Sequence, residues 1–216
     1  MIKKTMGPVI AILAIAGAAV WIYRSQSGAS QKFDLSPYHA LGAGAAEETA
    51  KLLGNKGQVV VMAHDTTEFK NPAVDGQLKS FQQTLKKNNG MSIAATLRFK
   101  LTPMERMATG GAAPRDLFLN ALQSHSNLGA VVLFCGFPPL TLSDYDTLKQ
   151  SGTKVVVVSG YLPAYRRLLE AQLIHLAIVP QFDRSTTPAK EPKTLREWFE
   201  QDFLVITPDN TATLPY

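Results

Sequence analysis

One thiol and four imidazoles bound the chemistry open to this 216-residue sequence. A single cysteine, Cys135, excludes a disulfide framework and any multi-cysteine zinc or iron–sulfur site. His39, His64, His125 and His175 include no pair spaced i, i+4 and no HExxH, so a metal site would have to be assembled from distant loops. The best polar pair is His64 with Asp65, but neighbours at a strand end point to opposite faces, so only one of them reaches a given pocket. Cys135 becomes a nucleophile only if His64, His125 or His175 approaches it, and otherwise reads as a small buried hydrophobe. An exported hydrolase using Cys135 or Asp65 with His64 is therefore the alternative reading, and no residue is assigned a catalytic role.

The turn after the first strand, His64 to Pro72, contains no glycine, so backbone cannot approach a pyrophosphate there. NAD, FAD and P-loop nucleotides are excluded. A flavin-phosphate role for Thr66 and Thr67 is opposed by the charges of Asp65 and Glu68. A receiver domain would need an aspartate where Cys135 and Gly136 stand, and no Gly-x-Ser-x-Gly elbow surrounds Ser159. No cofactor and no metal are expected. Nucleic acid is set aside as well, because residues 33–216 carry 18 basic against 17 acidic side chains and the +5 net charge belongs to the N-terminus.

The most suggestive constellation is aromatic: Phe69, Phe137, Tyr161 and Phe182 fall in four different strand-end loops. Aromatic faces with a few orienting polar groups hold apolar or sugar ligands, and equally they pack against partner proteins. With His64, Asp65, Thr66, Asn71, Cys135 and Ser159 they make the candidate ligand-binding set, for a small polar ligand such as a sugar.

The elements that must position these residues alternate regularly. Ser36–Pro37 starts a helix with Ser36 as its cap, ending near Gly54. Strands are expected at 59–63, 92–99, 130–134, 154–158, 174–179 and 203–207. Helices are expected at 72–89, 115–126, 143–150, 163–172 and 194–202, the last opened by a Thr194/Glu197 capping box. Continuous apolar strands imply burial on both faces, and helical crossovers join parallel strands. The expected fold is α/β: a three-layer α/β/α, doubly wound, mostly parallel sheet of five to six strands, preceded by one N-terminal transmembrane helix. Ligands then gather beyond the strands' carboxyl ends.

Met6 to Tyr23 is an uncharged, mostly apolar run that as a helix would reach about 27 Å, close to the hydrocarbon thickness of a bilayer. Lys3 and Lys4 before it place the N-terminus in the cytoplasm and the bulk of the chain in the periplasm. The organisation is a signal anchor at 1–24, a tether at 25–35 and a periplasmic domain at 36–216. Secretion after signal cleavage near Gly28–Ser30 is the rival. Gly7, Ala11, Ala14 and Ala18 form a stripe of small residues suited to close helix approach, so other membrane or periplasmic subunits are the expected partners.

With those residues in place, the chain resembles the N-terminal lobe of type I periplasmic substrate-binding proteins, the sugar-binding kind. Gln58–Asp65 leading to Asn71-Pro72-Ala73-Val74, the helix to Gly90, Leu128-Gly129-Ala130-Val131-Val132-Leu133 and Ser151-Gly152-Thr153-Lys154 carry the likeness, over roughly residues 57–160. That family places an aromatic after Asn-Pro, where this chain has Ala73. It also closes two lobes around its ligand, whereas Tyr216 falls about where a second lobe would begin. The resemblance therefore implies a non-catalytic domain whose half-site is completed by another chain, or a fold reused for docking.

Overall fold

Successive residues of a strand face opposite sides of a sheet, and here both sides are buried. Val60, Met62, Val131, Leu133, Val155 and Val157 join one apolar cluster, while Val59, Val61, Val132, Val156 and Ile178 join another. That pattern is the physical reason for two helical layers around a parallel sheet. A computed structural model describes residues 14–21, 34–125, 127–158, 165–181 and 192–213. The chain divides into two units, Met1–Asp34 and Leu35–Tyr216.

In the second unit the elements run α1 (Ser36–Leu52), β1 (Gly57–His64), α2 (Pro72–Leu85), β2 (Met91–Phe99), α3 (Pro103–Thr109), α4 (Arg115–Ser124) and β3 (Leu128–Phe134). They continue as α5 (Leu142–Ser151), β4 (Lys154–Val158), α6 (Tyr165–Glu170), β5 (Leu176–Pro180), α7 (Leu195–Asp202) and β6 (Phe203–Ile206), then a 3₁₀ segment, Pro208–Thr213. The sheet order is β2-β1-β3-β4-β5-β6. Strands β1 to β5 pair in parallel and β6 pairs antiparallel to β5. Phe81 of α2 and Phe199 of α7 pack on one face with α1, and Phe118 of α4, Leu148 of α5 and Leu169 of α6 pack on the other. The mixed α/β, mostly parallel sheet expected from the sequence is present, with helices on both sides.

Four local readings need correction or lie beyond view. Ser36 does not cap α1: Leu35 holds the cap position and Ser36 is the first helical residue, with Pro37 following. The last strand runs antiparallel, because α7 feeds directly into β6 at the end of β5 where Pro180 pairs with Phe203. Helix α3 was not anticipated. In the first unit residues 14–21 are helical and exposed, and among the described residues no helix is long and apolar enough to cross a membrane. The rest of the expected span at 6–23 lies outside the described residues.

Candidate functional site

Strand β1 leads out to β2 on one side and β3 leads out to β4 on the other, so the order reverses between β1 and β3. A crevice opens at such a point, beyond the strands' carboxyl ends. Here the chain covers it with its own backbone. Gly110 and Gly111 have φ of +62° and +81°, a left-handed conformation that glycine adopts freely, and they turn the chain back after α3. Ala112 then bridges to Gly136 in parallel, and Ala113 N–H donates to the Gly136 carbonyl at 3.1 Å.

His64 lies beneath this cover. Its ring sits 4.9 Å from that of Phe99 and is hydrogen-bonded to the Gly111 backbone, while its Nδ1 is buried with no partner among the described residues. Burial, and secondarily the Arg106 charge, lower its pKa, which favours the neutral ring. Asp65 points elsewhere: it accepts from Thr67 N–H at 2.9 Å and faces Lys100 Nζ at 3.7 Å. The Thr67 hydrogen bonds, backbone first, hold its pKa below the usual carboxylate value. As expected for neighbours at a strand end, the two side chains do not converge on one pocket.

On the β2 side a cavity of about 620 Å³ is lined by Asp65, Glu68, Phe69, Lys100, Arg106 and Met107, among others. Lys100 Nζ lies 2.7 Å from Glu68 Oε1, and that hydrogen bond raises the lysine pKa. Thr66 is buried next to it, donating to Asp75 Oδ1 at 2.8 Å and accepting from Arg98 Nη1 at 2.9 Å. Asn71 caps α2, accepting from Ala73 and Val74 N–H at 3.2 and 3.3 Å. Thr66 and Asn71 thus hold the loop in shape.

On the β4 side a second cavity, about 690 Å³, is walled by Phe137, Pro138, Leu140, Tyr145, Tyr165 and Leu168, with Arg167 on its lining. Cys135 does not open into it. The thiol is 6% exposed, lies 3.9 Å from the Met62 carbonyl and is pushed up to about 12 by burial. Burial thus favours the protonated thiol, the unreactive form, and describes a small buried hydrophobe.

The structure therefore separates residues that the sequence suggested together. Asp65 and Phe69 line one cavity, Phe137 lines the other, and His64 and Cys135 lie at the covered ends of β1 and β3. Ser159, Tyr161 and Phe182 lie outside the described residues. Tyr145, Tyr165, Leu168 and Arg167 were missed because they sit on helices α5 and α6, which periodicity assigns to core packing. Helix α3 did carry a readable signal, Thr102 with Glu105, which form both bonds of a capping box.

No protein-family model matches the chain, and no curated protein matches it. Solved structures do. An arabinose-binding protein from Geobacillus stearothermophilus superposes with a TM-score of 0.56 at 15% identity, over 83% of this chain and 63% of that one. A sugar-binding protein of a sugar ABC transporter from Bacillus halodurans gives 0.54 at 13% identity, over 81% and 63%. The XylFII–LytSN complex gives 0.52 at 14% identity, over 80% and 60%. This chain thus spans somewhat under two thirds of the length of these structures. It resembles a single lobe of the sugar-binding-protein fold, at identities that speak for the architecture alone.

Proposed function

We propose that this protein is a membrane-tethered, exported binding domain that holds a small ligand beside the carboxyl end of β3, as one subunit of a membrane-associated assembly. The observation that carries the reading is the cavity of about 690 Å³ walled by Phe137, Tyr145, Tyr165 and Leu168. Its size falls within the roughly 300–1,000 Å³ of small-molecule sites, and apolar walls with a few polar groups are the usual make-up of such sites. Aromatic faces suit the C–H faces of a sugar, while Arg167 and the tyrosine hydroxyls supply orienting groups. The sugars bound by proteins of this fold make a pentose or hexose the first ligand to try. Residues 6–23 serve as the anchor and place the domain in the periplasm.

Titration calorimetry of the purified chain against a pentose and hexose panel tests the ligand. Saturable heat that Phe137→Ala abolishes, with an unchanged melting curve, supports the reading. Absence of heat with every sugar, or heat indifferent to Phe137, removes it. The mass of the mature N-terminus and resistance to alkaline extraction from membranes test the anchor separately. The hydrolase alternative finds no support in the geometry, since Cys135 is a buried thiol and His64 and Asp65 point apart.

A further inference from the structure

Large apolar side chains left in water are unevenly placed on the α/β unit. Among the described residues of this unit, Phe69 is 84% exposed, Met104 81%, Met107 88% and Leu142 82%, and these four lie in the connections that follow the carboxyl ends of β1, β2 and β3; the fifth, Leu195 on α7, is less exposed at 42%. Three of them cluster around α3, which has no buried residue. Met104, Met107 and Ala108 stand at helical i, i+3, i+4 spacing and are all exposed, so α3 turns these apolar side chains outward, while Leu101 just before it packs against the core.

The chain enters the α/β unit at this same edge. Pro37 and Tyr38, in the first turn of α1, share a pocket with Pro180, the last residue of β5. Residues 24–35, fully extended, reach at most about 40 Å. A span at 6–23 would therefore hold the domain within that distance of the bilayer, at the high effective concentration that lets weak contacts persist.

We infer that the carboxyl edge of the domain rests on the lipid surface, with Phe69, Met104 and Met107 entering the interfacial region. The inference rests on the reading of residues 6–23 as a membrane anchor. The contact is apolar rather than electrostatic. Lys70, Lys100 and Arg106 are matched around the patch by Asp65, Glu68 and Glu105, and Lys100 is already paired with Glu68. Phe and Met side chains suit this role, because interfacial binding scales with the apolar area buried.

The test uses the full chain reconstituted in phosphatidylcholine vesicles, with and without phosphatidylglycerol. An environment-sensitive fluorophore is placed at Phe69→Cys, Met107→Cys or, as the control on the opposite edge, Lys87→Cys, each in a Cys135→Ala background. Positions 69, 87 and 107 are all exposed, so these replacements leave the core packing alone. The expected result is a blue shift and strong quenching by doxyl-labelled lipid at 69 and 107, with neither at 87, unchanged by salt or by phosphatidylglycerol. Vesicle-bound protein whose probes at 69 and 107 behave like the one at 87 overturns the inference while leaving the anchor standing. Protein that fails to float with the vesicles overturns the anchor and the inference together. Shielding of the probes that grows with protein density and ignores doxyl lipid overturns it in favour of a second copy of the chain.

Discussion

Arg115 at the start of α4 grips Asp144 in the first turn of α5 with two parallel hydrogen bonds, Nε to Oδ2 at 2.7 Å and Nη2 to Oδ1 at 2.6 Å. Asp144 simultaneously accepts from Thr141 N–H at 2.8 Å, closing the cap of α5, and its side chain is only 7% exposed. One carboxylate thus ties α4 to α5, the helix that brings Tyr145 to the wall of the cavity of about 690 Å³. The Arg115 guanidinium first, and the Thr141 N–H second, hold its pKa far below the usual carboxylate range.

Removing that carboxylate's charge should therefore loosen both helices. Asp144→Asn is expected to lower the Tm by several degrees, and Arg115→Lys by less, because a lysine keeps the charge beside Asp144 and loses only the two-pronged geometry. The sign with pH follows from a depressed carboxyl pKa: its contribution is complete above the unfolded value near 4 and fades as pH falls through the folded value. Thermal melts between pH 7 and pH 2 check this. Wild type should lose its advantage over Asp144→Asn on acidification, and a constant gap would refute the assignment.

His175 gives a second pH signature. Its ring Nδ1 accepts from Val155 N–H at 3.2 Å while the His175 backbone N–H donates to the Val155 carbonyl at 2.9 Å, joining β4 to the turn before β5. Burial, with help from Lys154, lowers its pKa to about 4. The unfolded chain binds this proton near pH 6.5 and the folded one only near 4, so stability should fall as pH drops through that window and stay flat above it. Solvent screening of a half-exposed ring leaves roughly 1–2 kcal/mol of the effect. Urea denaturation at stepped pH, compared with His175→Gln, reads it directly. An NMR titration placing this imidazole near pH 6.5 would contradict it.

Helix α1 is squeezed from both sides at its glycines. A β-carbon on Gly42 would collide with the Gln77 carbonyl of α2, and one on Gly44 would enter the Phe199 ring of α7. Overpacking of this kind costs about 1–3 kcal/mol. Gly42→Ala should be the more damaging, because it meets backbone that cannot rotate away, whereas the Phe199 ring can yield. Chemical denaturation of the two variants checks the order, and equal, negligible effects would show that α1 does not approach its neighbours this closely.

The buried thiol yields a simple expectation. Cys135 should resist an aromatic disulfide reagent in the native state and react fully only on unfolding. Cys135→Ala should keep ligand binding, while Cys135→Ser should cost about 1–3 kcal/mol by burying a hydroxyl. Rapid native labelling would place the thiol at the surface instead.

The strands were legible because Val59 to Ala63, Val131 to Phe134 and Val155 to Val158 are apolar without interruption, a pattern that only burial on both faces explains. The direction of β6 was not legible. Its four residues carry no mark of which way they pair, and that choice follows from where α7 delivers the chain. The same limit governs the site. Strand-end positions such as Asp65 and Phe137 could be read from sequence, but that Gly111 to Ala113 would lie across β1 and β3 and divide the edge into two cavities depends on non-local contacts. Tyr145 and Tyr165 look like ordinary helix residues until the packing of α5 and α6 brings them to one wall.

The reversed last strand has a practical corollary. Because β6 descends beside β5, with Ile206 opposite Ala177, it carries the chain back toward the amino end of the sheet, and Pro208–Thr213 then packs against α6. A reporter or purification handle spliced on after Thr213 would therefore start beside the helix that carries Tyr165 and Leu168, and a long flexible spacer is the way to keep it off that wall.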